Sequence, residues 1–369
     1  MSQPISVYAQ KIIDLRQSLK GAFIERNEVV DGMLIALLSK QHLFLLGAPG
    51  TAKSNICEAL CNSFSGNYFS WLLSKFSDPS EVFGPYSMSA MKDDRYERNT
   101  TNKLPEAQIG FLDEIFKCNS ALLNTLLKVL NERSFHNGTK VMEIPLQSLF
   151  GASNEIPQGE ELSALYDRFA LRYEVERIQS EKEMKNLLKS GLNLSKIPQF
   201  SMQDLEKAQK EAMAIDIDDD VLDGMINIRQ EIHEKGIMVS DRKWIQAMQV
   251  LKAFAYLQGK SVVDSEDLTV LENVLWHTPS QRKDIRKIIG PICNPLGDKL
   301  IELEDGINTI EEGVGKTIEP LEAVKKLKAV QDILTKYKRE HPHNNRLATD
   351  LARVEKLRLE ITKQALVGV

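Results

Sequence analysis

Three short stretches of this chain hold residue types that can work together chemically. Gly47-Ala48-Pro49-Gly50-Thr51-Ala52-Lys53-Ser54 follows the pattern G-x-x-x-x-G-K-[ST] except at Ala52, where the pattern has its second glycine. Such a loop turns successive backbone N–H groups inward to hold phosphate oxygens. Lys53 would reach the β- and γ-phosphates, and the Ser54 hydroxyl would ligate Mg²⁺. Alanine is the smallest residue that carries a Cβ, so it hampers close approach little provided its φ is negative. Asp113-Glu114 closes the apolar run Ile109-Gly110-Phe111-Leu112, about sixty residues beyond Lys53. Asp113 is placed to enter a metal shell, and Glu114 can polarise an attacking water as general base. Ser153-Asn154-Glu155 ends the next apolar run, where the Asn154 amide can orient that water and touch a γ-phosphate.

These groups act together only if the chain delivers them to one edge. Leu43-Phe44-Leu45-Leu46, Tyr68 to Leu72, Ile109 to Leu112, Leu146 to Ala152 and Leu171 to Val175 read as short strands. Helices are expected between them, at about Ala52 to Ser63 and Ser120 to Glu132. Buried strands alternating with helices specify a parallel α/β sheet, whose ligands bind beyond the carboxyl ends of the strands. The stretch before the first strand, about 5–40, reads as helices, with Tyr8, Ile12, Leu15 and Leu19 on a common face. Asn137-Gly138 between Phe135 and Val141 signals a hairpin. Beyond about 180 the strand signals fade, and helices are expected at 181–190, 203–213, 219–234, 241–258 and 264–275. Pro291 and Pro295 punctuate an expected loop. Two long helices, Pro320 to about Lys338 and Leu347 to about Leu366, are joined by the polar turn His341-Pro342-His343-Asn344-Asn345.

Composition narrows the function classes. The 369 residues are 42% hydrophobic and 27% charged, ordinary for a water-soluble chain of two or three domains. A net charge of −5 excludes a surface that is basic throughout. From Lys316 to Val369, however, twelve Lys/Arg face seven Asp/Glu, so this tail carries +5 on a body of −10. The tail could dock a partner, lie on a membrane or touch nucleic acid; a solvated helical pair is the plainer reading. Its single aromatic, Tyr337, argues against base stacking. Cys57, Cys61, Cys118 and Cys293 lack the paired spacing of a zinc site, and the six histidines form no H-E-x-x-H. Reduced cysteines in a cytoplasmic protein are expected. Neither a signal peptide nor a membrane-spanning run is read in the sequence.

Taken together, the motifs resemble the AAA+ ATPases, and within them the MoxR family, RavA-like branch. The resemblance is carried by the loop at 47–54, Phe76-Ser77-Asp78-Pro79-Ser80-Glu81-Val82-Phe83-Gly84-Pro85, Leu104-Pro105-Glu106-Ala107 and the Walker B-like Phe111-Leu112-Asp113-Glu114. It continues through Leu123-Asn124-Thr125-Leu126-Leu127, Leu130-Asn131-Glu132-Arg133, Ala152-Ser153-Asn154-Glu155, Leu165-Tyr166-Asp167-Arg168-Phe169 and Val239-Ser240-Asp241-Arg242-Lys243-Trp244. It covers about residues 5–278 and not the tail. In that family Ala52 is the normal residue of the loop.

The resemblance implies a three-layer αβα nucleotide-binding domain over 1–180, with a helix-2 insert at about 86–104 and a pre-sensor-1 hairpin at about 133–144. An all-α lid over 181–279 and a helical extension over 280–369 would follow. Arg168 matches the arginine finger, with Arg172 its nearest rival. A guanidinium supplied in trans suits the charge spread over γ-phosphate oxygens. Arg242 matches sensor 2, a cis arginine that couples the lid to phosphate. Glu28-Val29-Val30 is assigned by position to the adenine pocket; Phe135 and His136 could face a central pore, or the hairpin could equally pack on its own domain.

The expected activity is therefore Mg²⁺-dependent ATP hydrolysis in a ring, a hexamer, acting as a chaperone on a protein client with a von Willebrand factor A domain partner. A nucleic-acid motor, a metal-chelatase subunit and a nucleotide-sensing scaffold are the alternatives; the acidic body weighs against nucleic acid.

Overall fold

The computed structural model describes residues 6–191, 197–293, 297–314, 318–340 and 345–367. Met1 to Ile5, Pro295 and the turn residues His341 to Asn344 lie outside these residues. Two helices open the described chain, α1 (Val7–Ala22) and α2 (Asn27–Leu38). The Ser6 hydroxyl caps α1 by accepting from Ala9 N at 3.1 Å. Ile12, Leu15 and Leu19 bury one face of it, and α2 is buried almost throughout.

Strands β1 (His42–Leu46), β2 (Tyr68–Leu72) and β3 (Ile109–Asp113) follow, with helix α3 (Lys53–Asn62) after β1. Two short helices, α4 (Pro79–Phe83) and α5 (Met88–Lys92), occupy the stretch between β2 and β3. Then come α6 (Ser120–Glu132), an antiparallel pair β4 (Ser134–Asn137) and β5 (Lys140–Glu143), β6 (Ser148–Ser153), α7 (Glu160–Asp167) and β7 (Phe169–Glu174). The main sheet has the order β2-β3-β6-β1-β7, and all its pairs are parallel. Fully apolar runs such as Leu43 to Leu46 suit central parallel strands, which must be covered on both faces. The register places Leu46 opposite Ser153, and Gly47 N donates to Ser153 O at 3.0 Å. Leu72 lies opposite Asp113. The chain therefore leaves β1, β3 and β6 at one edge, and the loop, the carboxylates and Asn154 all start there.

The helical part contains α8 (Glu181–Ser190), α9 (Met202–Met213), α10 (Asp219–Glu234), α11 (Asp241–Leu257) and α12 (Pro279–Cys293). The segment expected as a helix at 264–275 is instead a 3₁₀ stretch, Ser265–Asn273. Asp264 and Asp267 form a capping box at its start, and Lys260 Nζ ties both carboxylates at 2.8–2.9 Å. Pro291 lies inside α12, two residues before its end, and does not punctuate a loop; it removes one i→i−4 hydrogen bond where little helix remains to be disturbed. Because α12 packs on the 3₁₀ stretch and α10, the first compact unit runs through Cys293, past the expected boundary at 279/280.

Among its described residues the second compact unit, from Asn294, holds three helices rather than two: α13 (Gly297–Gly313), α14 (Pro320–Glu340) and α15 (Asn345–Val367). It has its own apolar core, which includes Leu300, Ile307, Leu327, Leu334, Val354 and Ile361. The Arg353–Glu311 ion pair at 2.7 Å ties α15 to α13. Among the described residues no helix is long and apolar enough to cross a membrane.

Candidate functional site

The loop from Gly47 to Ser54 joins β1 to α3. A Cβ on Gly47 would stand 2.5 Å from Val175 O, so glycine is required there by close approach. Gly50 has φ +80°. Ala52 has φ +67° and ψ +20°, the left-handed region. The condition of a negative φ at Ala52 is thus not met: the loop must reverse before α3, and alanine adopts what glycine does more easily. Thr51 Oγ1 donates to Ala48 O at 2.9 Å. From beneath, the buried Arg26 donates to Thr51 O at 3.3 Å and to Glu176 O at 2.6 Å. Sequence reasoning missed this brace, because an arginine between two helices carries no motif.

Lys53 opens α3 and is 8% exposed. Its ammonium donates to Gly47 O at 2.6 Å and Ala48 O at 3.0 Å, so it curls along the loop toward the phosphate cradle. Burial lowers its pKa, against the opposing pull of Asp113 and Glu114. Ser54 Oγ donates to Asp113 Oδ2 at 3.1 Å. A hydroxyl and a carboxylate at this separation are hard oxygen donors suited to Mg²⁺, which binds proteins through one or two such groups and takes the rest from phosphates and water. Among the described residues no cluster of three His, Cys, Asp or Glu could hold a metal ion.

Glu114 follows Asp113 with φ +52°, a strained conformation for a residue with a side chain. Its Oε2 is buried without a hydrogen bond, although the Lys117 ammonium stands 3.3 Å away. Asn154 is exposed just past β6.

The two expected arginines are Arg168 and Arg242, and the charge of the second acts on the first. Arg168 closes α7, with Nη1 3.7 Å from Asp167 Oδ2 and a buried Nε that lacks a partner. Burial lowers its pKa, and the charge of Arg242 lowers it further. Arg242 is exposed in the first turn of α11. The rival Arg172 is fully buried: it donates to Trp276 O and Tyr166 O, and its guanidinium lies 4.0 Å from the Tyr166 ring centroid. A guanidinium so engaged cannot reach another molecule.

A cleft of about 390 Å³ lies beside the loop, lined by Arg26, Glu28, Val29, Val175 and Arg282. Glu28 and Val29 face it, whereas Val30 is buried. Arg282 of α12 pairs with Glu28 at 3.0 Å. On the hairpin, Phe135 is buried and stacks on Phe83 with centroids 5.4 Å apart, so it does not face a pore. His136 is exposed beside Lys128. Asn137 Nδ2 donates to Arg98 O at 3.0 Å, fastening the hairpin to the stretch after α5.

A five-stranded parallel sheet with a lysine-bearing phosphate loop on its central part, paired carboxylates on a neighbouring strand and a helical lid defines a P-loop ATPase fold of the AAA+ class. Residues 10–215 match the family described as "MoxR domain in the MoxR-vWA-beta-propeller ternary systems", and residues 220–289 match an AAA lid domain. The chain belongs to the MoxR family of AAA+ ATPases. It is similar to an uncharacterised protein of Methanocaldococcus jannaschii, 37% identical over 82% of this chain and 81% of that one. It is also similar to the chaperone MoxR1 of Mycobacterium tuberculosis, 22% identical over 70% of this chain and 73% of that one. A solved structure of a candidate ATPase from Cytophaga hutchinsonii shares the fold, with a TM-score of 0.63 at 16% identity over 77% of this chain and 94% of that one.

Proposed function

We propose that this protein hydrolyses ATP in a hexameric ring and uses the motion to remodel or mature a protein client, in the manner of a chaperone. Lys53 and the amides of Gly47 to Ala52 bind the phosphates. Ser54 and Asp113 would hold Mg²⁺, which supplies charge neutralisation on the phosphate oxygens. Glu114 takes a proton from the attacking water, and Asn154 orients that water. Arg168 comes from the neighbouring subunit. Arg242 is assigned to sensor 2, acting in cis to couple the lid to phosphate. The cleft beside Glu28 and Val29 takes the adenine.

One observation carries this reading. The phosphate-side groups Lys53, Ser54, Asp113 and Glu114 gather at one sheet edge, while Arg168 stays only partly buried, with one long ion pair to Asp167. We assign that guanidinium to the nucleotide of a second copy.

The name of the matching family supports a von Willebrand factor A domain protein as partner, with a β-propeller protein as a third component. The RavA-like affinity is a proposal of the same rank, resting on the motif run at 76–85 and the insert. The cytoplasm is the proposed location, in keeping with four free thiols. Phosphate release by wild type, lost about 10²- to 10⁴-fold in Glu114→Gln while nucleotide still binds, tests hydrolysis. Mixing Lys53→Ala with Arg168→Ala subunits should recover activity that neither has alone. Absence of release from wild type with the von Willebrand factor A partner present ends the proposal, and stimulation by DNA would favour a nucleic-acid motor instead.

A further inference from the structure

Lys243 is a lysine in the wrong place for a surface cation. It is 1% exposed, in the first turn of α11, where its own N–H is capped by Ser240 Oγ at 3.3 Å. Its ammonium donates to Phe169 O at 2.7 Å and reaches Asp167 O at 3.5 Å. These two carbonyls flank Arg168. Burying a cation costs several kcal/mol, and an apolar side chain of like size fills such a position at less cost. The surroundings make that cost higher: Arg172 and Arg168 oppose its charge, only Asp167 favours it, and burial drives its pKa well below the ordinary lysine value. Packing therefore does not account for a lysine here, whereas a tether to the Arg168 turn does.

The same turn is held a second time. Arg172 of β7 donates to Tyr166 O and Trp276 O, and Tyr166 Oη donates to His277 O at 3.0 Å. Residues 166–169 are thus fastened both to the start of α11 and to the segment before α12. Lys243 follows Arg242 in the first turn of α11, so that turn is tied through Lys243 to the backbone on either side of Arg168.

We propose that Lys243 is a positioning residue that makes Arg168 follow the lid, so that the nucleotide state of one subunit sets the finger offered to the next. The proposal rests on the trans role assigned to Arg168 above.

Lys243→Met keeps the bulk and removes the donor. Full-length Lys243→Met should bind ATP with KM within about twofold of wild type and lose about 10²-fold in kcat, as a displacement near 1 Å of an aligned group does. The decisive measurement mixes Lys243→Met with Glu114→Gln subunits. Where a Lys243→Met subunit holds the ATP, its Glu114→Gln neighbour offers a correctly held Arg168, and hydrolysis should rise well above either variant alone. Wild-type kcat in Lys243→Met, or a low rate that mixing does not raise, overturns the proposal; the latter would mean damage to the subunit's own site. An unimpaired Arg168→Ala protein would instead overturn the trans role itself. If Lys243→Met does not fold, Lys243→Gln, which is polar but too short for the carbonyls, is put through the same two measurements.

Discussion

The Ser54 hydroxyl donates to Asp113 Oδ2 at 3.1 Å although 59 positions separate the two residues along the chain. Parallel strands β1 and β3, with β6 between them, bring the loop and the carboxylate to the same edge. The pair is at the surface and makes one hydrogen bond, so it contributes little to stability, about 1 kcal/mol. Ser54→Ala should therefore melt like wild type. Its hydrolysis should fall about 10²-fold, with the half-maximal Mg²⁺ concentration raised, if both oxygens serve the metal. Phosphate release across a Mg²⁺ titration, set beside the thermal midpoint, checks this; a wild-type Mg²⁺ response would remove Ser54 from the metal shell.

Ala52 carries a left-handed backbone that costs about 1–2 kcal/mol in a residue with a Cβ. Ala52→Gly relieves that and adds unfolded-chain entropy worth about 0.4–1 kcal/mol in the other direction. We expect equal or slightly higher stability in Ala52→Gly and a loss of about 1–3 kcal/mol in Ala52→Val. Gly47→Ala should also destabilise, since its Cβ meets Val175 O. Denaturant midpoints for the three variants rank them, and a clear loss in Ala52→Gly would contradict the backbone argument.

Arg168 and Arg172, four residues apart, should separate in experiment. Arg172→Met takes its donors from the Trp276 and Tyr166 carbonyls, and leaving the Trp276 carbonyl unpaired costs about 1–3 kcal/mol. Arg168→Ala removes a side chain with one distant ion pair and should shift stability by less than about 1 kcal/mol. Calorimetry should show a large fall in Tm for the first and a small one for the second. The reverse order would exchange their roles.

His42 should make the fold sensitive to acid. It is fully buried on β1, accepts from Leu149 N at Nδ1 at 3.0 Å, and faces Leu130 O with Nε2 at 3.2 Å, which fixes a neutral ring with the proton on Nε2. Burial, and then the Arg133 charge, push its pKa down to about 3. The unfolded chain, with an ordinary histidine pKa near 6.5, takes up the proton first as pH falls. The contribution is therefore complete above about pH 6.5 and is lost progressively toward pH 3, at about 1.4 kcal/mol per pH unit. Urea unfolding at pH 7 and pH 5 should differ by about 2 kcal/mol more in wild type than in His42→Gln. Equal differences would show that the ring does not titrate this way.

Much of the frame was legible because its signals are local. Leu43 to Leu46 and Ile109 to Leu112 are apolar runs too short for helices, and each stops at a residue that cannot be buried cheaply. Hydrophobic periodicity reports burial over a few neighbouring residues, so it found the five strands and most helices. It missed α13, whose pattern is broken by Glu302, Glu304 and Asp305, and it read the 3₁₀ stretch at 265–273 as an α-helix because both put apolar residues three or four apart.

By itself, then, the sequence determined an α/β core with a phosphate loop, a carboxylate pair and an amide in a set order. Which arginine is free and which is buried was left to the tertiary structure. Arg172 meets Trp276 across 104 positions and Lys243 meets Phe169 across 74. No pattern in neighbouring residues records such a partnership, because a buried cation is stabilised by carbonyls that any residue type supplies. The sign of φ at Ala52 and the burial of Phe135 against Phe83 were settled in the same way, by where the folded chain had room.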